Sequence, residues 1–421
     1  MKVTSARIAL KDSVPSGRVL PSPPVASSDQ LTIQLIFRVK YSRWRRSLPC
    51  INVHIGQKVL SFSLHRQHEQ VALTFPLKPE EFELPLRFSF KGNVPLDAYA
   101  DATVVSQPKL DDGPIMIVAP HPDDAEIAAG GLYSAHAAQA RIVTLSAGEL
   151  LRKLDRQYIT RLDDDLTAAS QRKGDIRSWN SAVTPLLSGV AIEHCQMLGV
   201  PDGYGWQIIH DDAVIDPVLP IQQARRLNAL SLPNDNAEIL EREHIINDLQ
   251  HLIEYWQPAT ILVTDPEYDP HPDHLAASLA LAEALKRSHS RPERVLLYAN
   301  HYQDAHSPGP AFQPAWTPSP ALRKPLFRAP APYLFSLDEK AQRHKALLLN
   351  AMDDLSRRDR PRQIRKKNRR EGFHPTFAPD RDRYFQWAIR SSEYFQMVDV
   401  EEFIEGTKEL LPDQSPGRYL K

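Results

Sequence analysis

Pro114-Ile115-Met116-Ile117-Val118-Ala119-Pro120-His121-Pro122-Asp123-Asp124-Ala125-Glu126 decides the fold. Its first half is an unbroken apolar run, the pattern of a strand covered on both faces, as in a parallel sheet packed between helices. Its second half is a polar turn crowded with one histidine and two aspartates. A small-residue-rich helix is expected over Ala125–Ala140, and the next strand over Arg141–Leu145. Further on, Leu240, His244, Ile245, Leu249, Leu252, Ile253 and Trp256 share one face of a helical stretch. Ala259–Thr264 reads as another buried strand, Leu275–Arg287 as a helix and Val295–Ala299 as a further strand. Strands alternating with helices predict an α/β domain, a Rossmann-like parallel sheet with helices on both faces.

Upstream the character is different. Leu31–Val39, Val59–Leu64, Val71–Phe75 and Leu86–Phe90 are short runs rich in branched and aromatic residues, separated by Gly56-Gln57, Pro76 and Gly92-Asn93. Strands without intervening helices predict a small all-β, sandwich-like domain over residues 1–108. No His/Asp/Glu constellation falls there, so a scaffold or binding role is expected. The α/β domain is placed at 109–305. Beyond it, eight prolines between Pro308 and Pro332 exclude regular helix. A helix is expected at Leu337–Leu355, and Asp382–Leu411 regains apolar residues, so 306–421 is read as an extension packing on the α/β domain.

Composition narrows the class. The 421 residues are 42% apolar and 24% charged, enough for a sizeable core, and the formal net charge of −1 excludes a chain dominated by nucleic-acid binding. Two cysteines far apart, Cys50 and Cys195, make neither a CxxC pair nor a disulfide framework. Met1–Pro24 has no apolar core of a secretory leader, and no run reaches the length of a membrane span. A cytoplasmic location is expected.

The chemistry concentrates in two clusters. In His121-Pro122-Asp123-Asp124, a histidine and a carboxylate three apart on a tight turn can face one ion, while Asp123 points elsewhere and can address a water. Asp269-Pro270-His271-Pro272-Asp273-His274 follows a second buried strand, and its two histidines three apart can serve different roles at one centre. Both clusters fall where parallel sheets bind ligands, at the carboxyl ends of strands. Together they offer three or more N/O donors, which matches catalytic zinc with one position left for water. A lone His-Pro-Asp is usually a turn with an N-capping aspartate. Two such turns after two strands of one sheet argue against that bland reading.

At these residues the sequence resembles the PIG-L/LmbE zinc-dependent de-N-acetylases, whose signature opens with His-Pro-Asp-Asp and closes with a His-Pro-Asp-His-like element. The resemblance spans about residues 112–300. It implies His121, Asp124 and His274 as ligands of Zn2+, or of Fe2+ or another divalent metal, Asp123 as general base, and His271 as acid or oxyanion stabiliser. It also implies an N-acetylated, GlcNAc-type sugar as substrate, lipid- or nucleotide-linked, in a glycolipid or cell-surface glycan precursor. The chain departs from the family pattern in carrying Ala125 before Glu126, and Asn180 where an acid commonly follows Arg177.

Further expectations are less tied to the motifs. Ser146-Ala147-Gly148-Glu149 resembles the family's Thr-Asp-Gly-Glu turn, which puts Glu149 at the pocket. Arg177, Asp202 and Tyr268 are the other substrate-binding candidates. Arg357–Arg370 carries nine Arg or Lys against one acid, Asp359. It reads as a solvated loop or a patch for phosphate or an anionic membrane surface, with nucleic acid the least fitting partner. Two rivals complete the reading: a zinc hydrolase acting on another amide, and a carbohydrate-binding protein without catalysis.

Overall fold

The computed structural model describes residues 2–10, 30–41, 48–64, 69–82, 84–154, 161–163, 165–301, 312–315, 317–318, 325–328, 330–352, 355, 388–408 and 410. The run Arg357–Arg370 lies outside the described residues.

The N-terminal strands are β1 (Lys2–Ala9), β2 (Leu31–Tyr41), β3 (Cys50–Ile55), β4 (Lys58–Ser63), β5 (Gln70–Leu77), β6 (Leu86–Lys91), β7 (Asn93–Pro95) and β8 (Tyr99–Ser106). They form two antiparallel sheets, one in the order β1-β8-β2-β5 with β7 on β2, the other in the order β4-β3-β6. Alternate residues of β2 and β3, among them Ile33, Leu35, Phe37, Ile51 and Val53, are buried with Phe75 and Val104 in one core between the sheets. Period-two burial of this kind is what a half-covered sheet requires.

The second unit is a seven-stranded mixed sheet flanked by helices. Its strands are β9 (Ile115–Ala119), β10 (Ala140–Ser146), β11 (Cys195–Val200), β12 (Thr260–Thr264), β13 (Arg294–Tyr298), β14 (Ala331–Ser336) and β15 (Ser392–Val398), in the order β11-β10-β9-β12-β13-β15-β14. The five strands from β11 to β13 are parallel, as the alternating pattern predicts. Strands β15 and β14 extend the sheet in the antiparallel sense. So part of the C-terminal extension is sheet, and Pro332 inside β14 is accommodated on the edge strand.

The helices are α1 (Asp124–Ala135), α2 (Leu166–Val183), α3 (Gly205–Ile209), α4 (Ile221–Ala224), α5 (Arg242–Trp256), α6 (Pro272–Arg287), α7 (Glu339–Ala351) and α8 (Val400–Thr407). Met116 and Val118 point to one face with Ile261 and Val263, against α5, α6 and α8; Ile115, Ile117 and Ala119 point to the other, against α1. In α5, Ile245, Ile246, Leu249, Leu252 and Ile253 are buried beside Trp256, each of these aliphatic side chains worth about 1.5–3 kcal/mol of transfer free energy. Leu240 lies before that helix, buried, in a bridge to Ile215. No helix among the described residues is long and apolar enough to cross a membrane.

Helix α1 is kinked at Ala129, where φ is −134°. The carboxylate of Glu393 on β15 accepts the N–H groups of Gly131 and Leu132 just past the kink, both at 2.8 Å, and pairs with the fully buried Lys345 of α7 at 2.6 Å. Gly131 has no room for a side chain, since a Cβ there would meet Leu337 Cδ2 at 2.2 Å. The Gly130-Gly131 pair therefore permits close packing against the C-terminal layer. The two units touch where β14 lies near β2 and β5, with Gln30 Nε2 donating to Ser336 Oγ at 3.2 Å.

Candidate metal centre

From β9 the chain continues to β10 and β11 on one side, while β12 and β13 lie on the other. The sheet order reverses between β9 and β12, which is where open α/β sheets form their ligand crevice. The His121–Asp124 turn leaves the carboxyl end of β9, and the His271–His274 turn follows β12, so the two clusters meet.

Three ligand atoms converge there. His274 Nε2 lies 3.2 Å from Asp124 Oδ2, and His121 Nδ1 lies 3.5 Å from the same oxygen. All three residues are buried. His274 Nε2 is fully enclosed with no hydrogen bond, because its approach to Asp124 has the wrong direction for one. A buried ring nitrogen left without a hydrogen bond costs about 1–3 kcal/mol unless something else takes its lone pair. Two imidazole nitrogens and one carboxylate oxygen within 4.8 Å of one another suit a divalent cation.

The outer ring nitrogens are held as metal-ligating histidines usually are, by carboxylates. His274 Nδ1 meets Asp269 Oδ2 at 2.9 Å, and His121 Nε2 meets Asp273 Oδ2 at 3.1 Å and Asp202 Oδ1 at 3.3 Å. Asp273 is itself fixed by the N–H groups of Gly203 and Gly205, each at 2.9 Å. Burial alone disfavours a charged ring, yet Asp124 and Asp269 push His274 up to about 10. Burial likewise opposes charge on His121, but Asp124, Asp202 and Asp273 raise it well above the usual range. Burial would raise the carboxyl of Asp124, yet His274 and His121 hold it well below. The cluster draws positive charge, which a cation would supply.

Asp123 sits beside these groups and does no capping work. It occupies the N-cap position of α1 with φ 126° and makes no side-chain hydrogen bond to the helix. A non-glycine residue in that region costs roughly 1–3 kcal/mol and is found where surroundings impose it, often at active sites. Burial pushes its carboxyl up to about 6, opposed by the Arg177 guanidinium 3.8 Å away. Arg177 also donates to the carbonyls of Ala147 and Pro122, at 3.2 and 3.0 Å, and so ties the turn after β9 to the one after β10. Gly148 (φ +64°) accommodates this, since a Cβ there would lie 2.6 Å from Arg177 Nε.

His271 caps α6, its Nδ1 accepting the Asp273 N–H at 3.3 Å. That hydrogen bond makes Nδ1 the acceptor, so a neutral ring carries its proton on Nε2. Burial and the neighbouring His274 and His121 lower its pKa to about 4. Its ring centroid lies 5.3 Å from that of His121 and 4.9 Å from that of His274.

The remaining candidates separate. Glu149 is buried, accepts the Asp202 N–H at 3.0 Å and is pushed up to about 7 by burial and by Asp202. Asp202 adjoins His121 and takes the Leu150 N–H at 3.0 Å. Tyr268 lies in the loop after β12, where its backbone N–H donates to Asp265 Oδ1 at 3.2 Å. Glu126, one place beyond the family position, is buried behind the turn, bonded to Tyr133 and raised to about 8 by burial. Asn180 donates to the Ala351 carbonyl at 3.2 Å, so this position serves packing on α7.

Two site residues carry no sequence signal. Asn300, just past β13, donates Nδ2 to Asp124 Oδ1 at 2.9 Å, and the His301 ring lies 4.5 Å from His274 and 4.9 Å from His271. Neither belongs to a recognisable motif, and their place follows only from β13 pairing with β12.

Residues 116–285 match the family model described as PIG-L: GlcNAc-PI de-N-acetylase. The α/β unit has the PIG-L-family fold. The His/Asp cluster inside it is a PIG-L-family hydrolase site, of the kind suited to amide hydrolysis. Among solved structures, the chain is similar to N,N'-diacetylchitobiose deacetylase from Pyrococcus horikoshii, at 16% identity over 72% of this chain and 88% of that one, with a TM-score of 0.37. GalB, a 4-carboxy-2-hydroxymuconate hydratase from Pseudomonas putida, is 14% identical over 68% and 96%, with a TM-score of 0.36. A deacetylase of teicoplanin biosynthesis is 14% identical over 68% and 98%, with a TM-score of 0.35. No curated protein matches the chain.

Proposed function

We propose that the protein is a zinc-dependent amide hydrolase that removes acetyl from an N-acetylated amino sugar of the GlcNAc type. The observation that carries the reading is the orphaned His274 Nε2, which lies with His121 Nδ1 within 3.5 Å of one oxygen of Asp124, while carboxylates hold the outer nitrogens of both rings. The donor set of two nitrogens and one carboxylate favours zinc among divalent ions. When bound, the ion supplies Lewis acidity that polarises the amide carbonyl and acidifies water.

The chain's own groups supply the rest. Asp123, ionised and free of capping duty, accepts a proton from water as the water oxygen bonds to the carbonyl carbon. His271 Nε2–H donates a hydrogen bond to the carbonyl oxygen as it gains negative charge, and as a neutral ring it does so without a proton transfer. The C–N bond then breaks, Asp123 returns its proton to the departing nitrogen, and acetate and an amine result. Asp202, partly open beside His121, is the proposed contact for sugar hydroxyls. Arg177 and Glu149 hold Asp123 and Asp202, and Tyr268, three residues before His271, is a further proposed substrate contact.

The family model's description supports a lipid-linked sugar, and the basic run Arg357–Arg370 would suit such a substrate at a cytoplasmic membrane face. Acetate release from free, nucleotide-linked and lipid-linked N-acetylated sugars tests the reading. We expect turnover of at least one GlcNAc conjugate by zinc-loaded protein. No release from any of them, with hydrolysis of an unrelated amide instead, would move the site to a different substrate class.

A further inference from the structure

We infer that Asn300 is a positioning residue for the metal centre, choosing which oxygen of Asp124 faces the ion; this rests on the metal reading above. Asn300 lies beyond the segment that the family model matches, at the end of β13, and is buried. Its Nδ2 donates to Asp124 Oδ1 at 2.9 Å and to the Asp124 backbone carbonyl at 3.0 Å. Two acceptors around one nitrogen fix the orientation of the amide. With Oδ1 engaged, Oδ2 is left to face His274 Nε2 and His121 Nδ1, and the His121 N–H steadies it at 2.9 Å.

The same residue reaches a second ligand through its main chain. Asn300 N–H donates at 2.8 Å to Asp269 Oδ2, the oxygen that meets His274 Nδ1. The His301 N–H adds a further bond to that oxygen at 3.1 Å. Asn300 thus touches the carboxylate ligand directly and turns a histidine ligand through Asp269. His121 is held separately, by Asp273 and Asp202.

Side chain and main chain can be separated by substitution. Asn300→Ala removes only the amide link to Asp124 and keeps the backbone link to Asp269. Asn300→Asp keeps the shape but replaces the donor with an acceptor facing a carboxylate. Loss of a partner that orients a metal ligand typically weakens metal binding by about 10–100-fold. The test is zinc affinity by chelator competition, together with the visible spectrum of the cobalt-substituted protein, on full-length chains checked for folding by circular dichroism.

Both variants are expected to bind zinc about 10–100-fold more weakly than wild type and to show an altered cobalt spectrum. If Asn300→Ala fails to fold, Asn300→Asp decides alone. Wild-type affinity and spectrum in a folded variant would overturn the positioning role and leave Asn300 as a packing residue. A wild-type protein that binds no divalent ion would instead sink the metal reading, and the positioning role with it.

Discussion

The two His-Pro-Asp turns look alike on paper and are built differently. In the turn after β9, the N-cap residue of α1 is Asp123, held at φ 126° with its carboxylate kept away from the helix. In the turn after β12, the N-cap residue of α6 is His271, at φ −67°, whose ring does the capping, with Pro272 in the first helical turn. The first turn carries strain and leaves a carboxylate available; the second is relaxed and uses the cap to fix a tautomer. A proton acceptor must be kept from capping its own helix, whereas a hydrogen-bond donor is better for being held. The same short pattern therefore serves opposite purposes, and only backbone geometry distinguishes them.

The largest effect that could break this contrast is at Asp123. Asp123→Asn is expected to lower kcat by about 100- to 10,000-fold with zinc retained. Wild-type turnover would remove Asp123 as base. Asp123→Gly tests the strain separately: glycine adopts positive φ without penalty, so thermal denaturation should show stability raised by about 1 kcal/mol while activity is lost. An unchanged or lower melting temperature would mean that the turn stores no strain there.

His271→Ala comes next, with an expected fall in kcat of about 100- to 1,000-fold, the range for an oxyanion donor. The fall should appear in kcat and kcat/KM alike, since the bond strengthens only as charge develops. A change in KM alone would make His271 a ground-state contact. The smallest effect is at the Arg177 link. Gly148→Ala should cost about 1–3 kcal/mol of stability, because the added Cβ meets the guanidinium in a left-handed backbone. Activity should fall modestly as Arg177 shifts from Asp123, and a neutral result would detach Arg177 from the site.

Much of this was legible in the sequence because it is local. The apolar run before His121 and the one before His271 announce buried parallel strands, and the polar turns follow them directly in the chain. What was hidden comes from distant segments. Asn300 reaches Asp124 only because β13 pairs with β12, and Glu393 reaches the kink of α1 only because β15 joins the sheet. β14 follows a proline-rich stretch that masks its strand character, so residues 331–336 read as extension rather than as sheet. Strands β1 and β8 alternate with small and polar residues, and each is recognisable only once paired with the other.

The most direct test of the central claim is the metal content of wild-type protein and of His274→Ala, measured by elemental mass spectrometry after purification and after incubation with zinc. About one tightly held divalent ion is expected per wild-type chain, and none in a folded His274→Ala, since removing the buried nitrogen breaks a three-ligand site. Wild-type protein that holds no ion even after incubation with zinc, or a His274→Ala variant that binds as well as wild type, would contradict it.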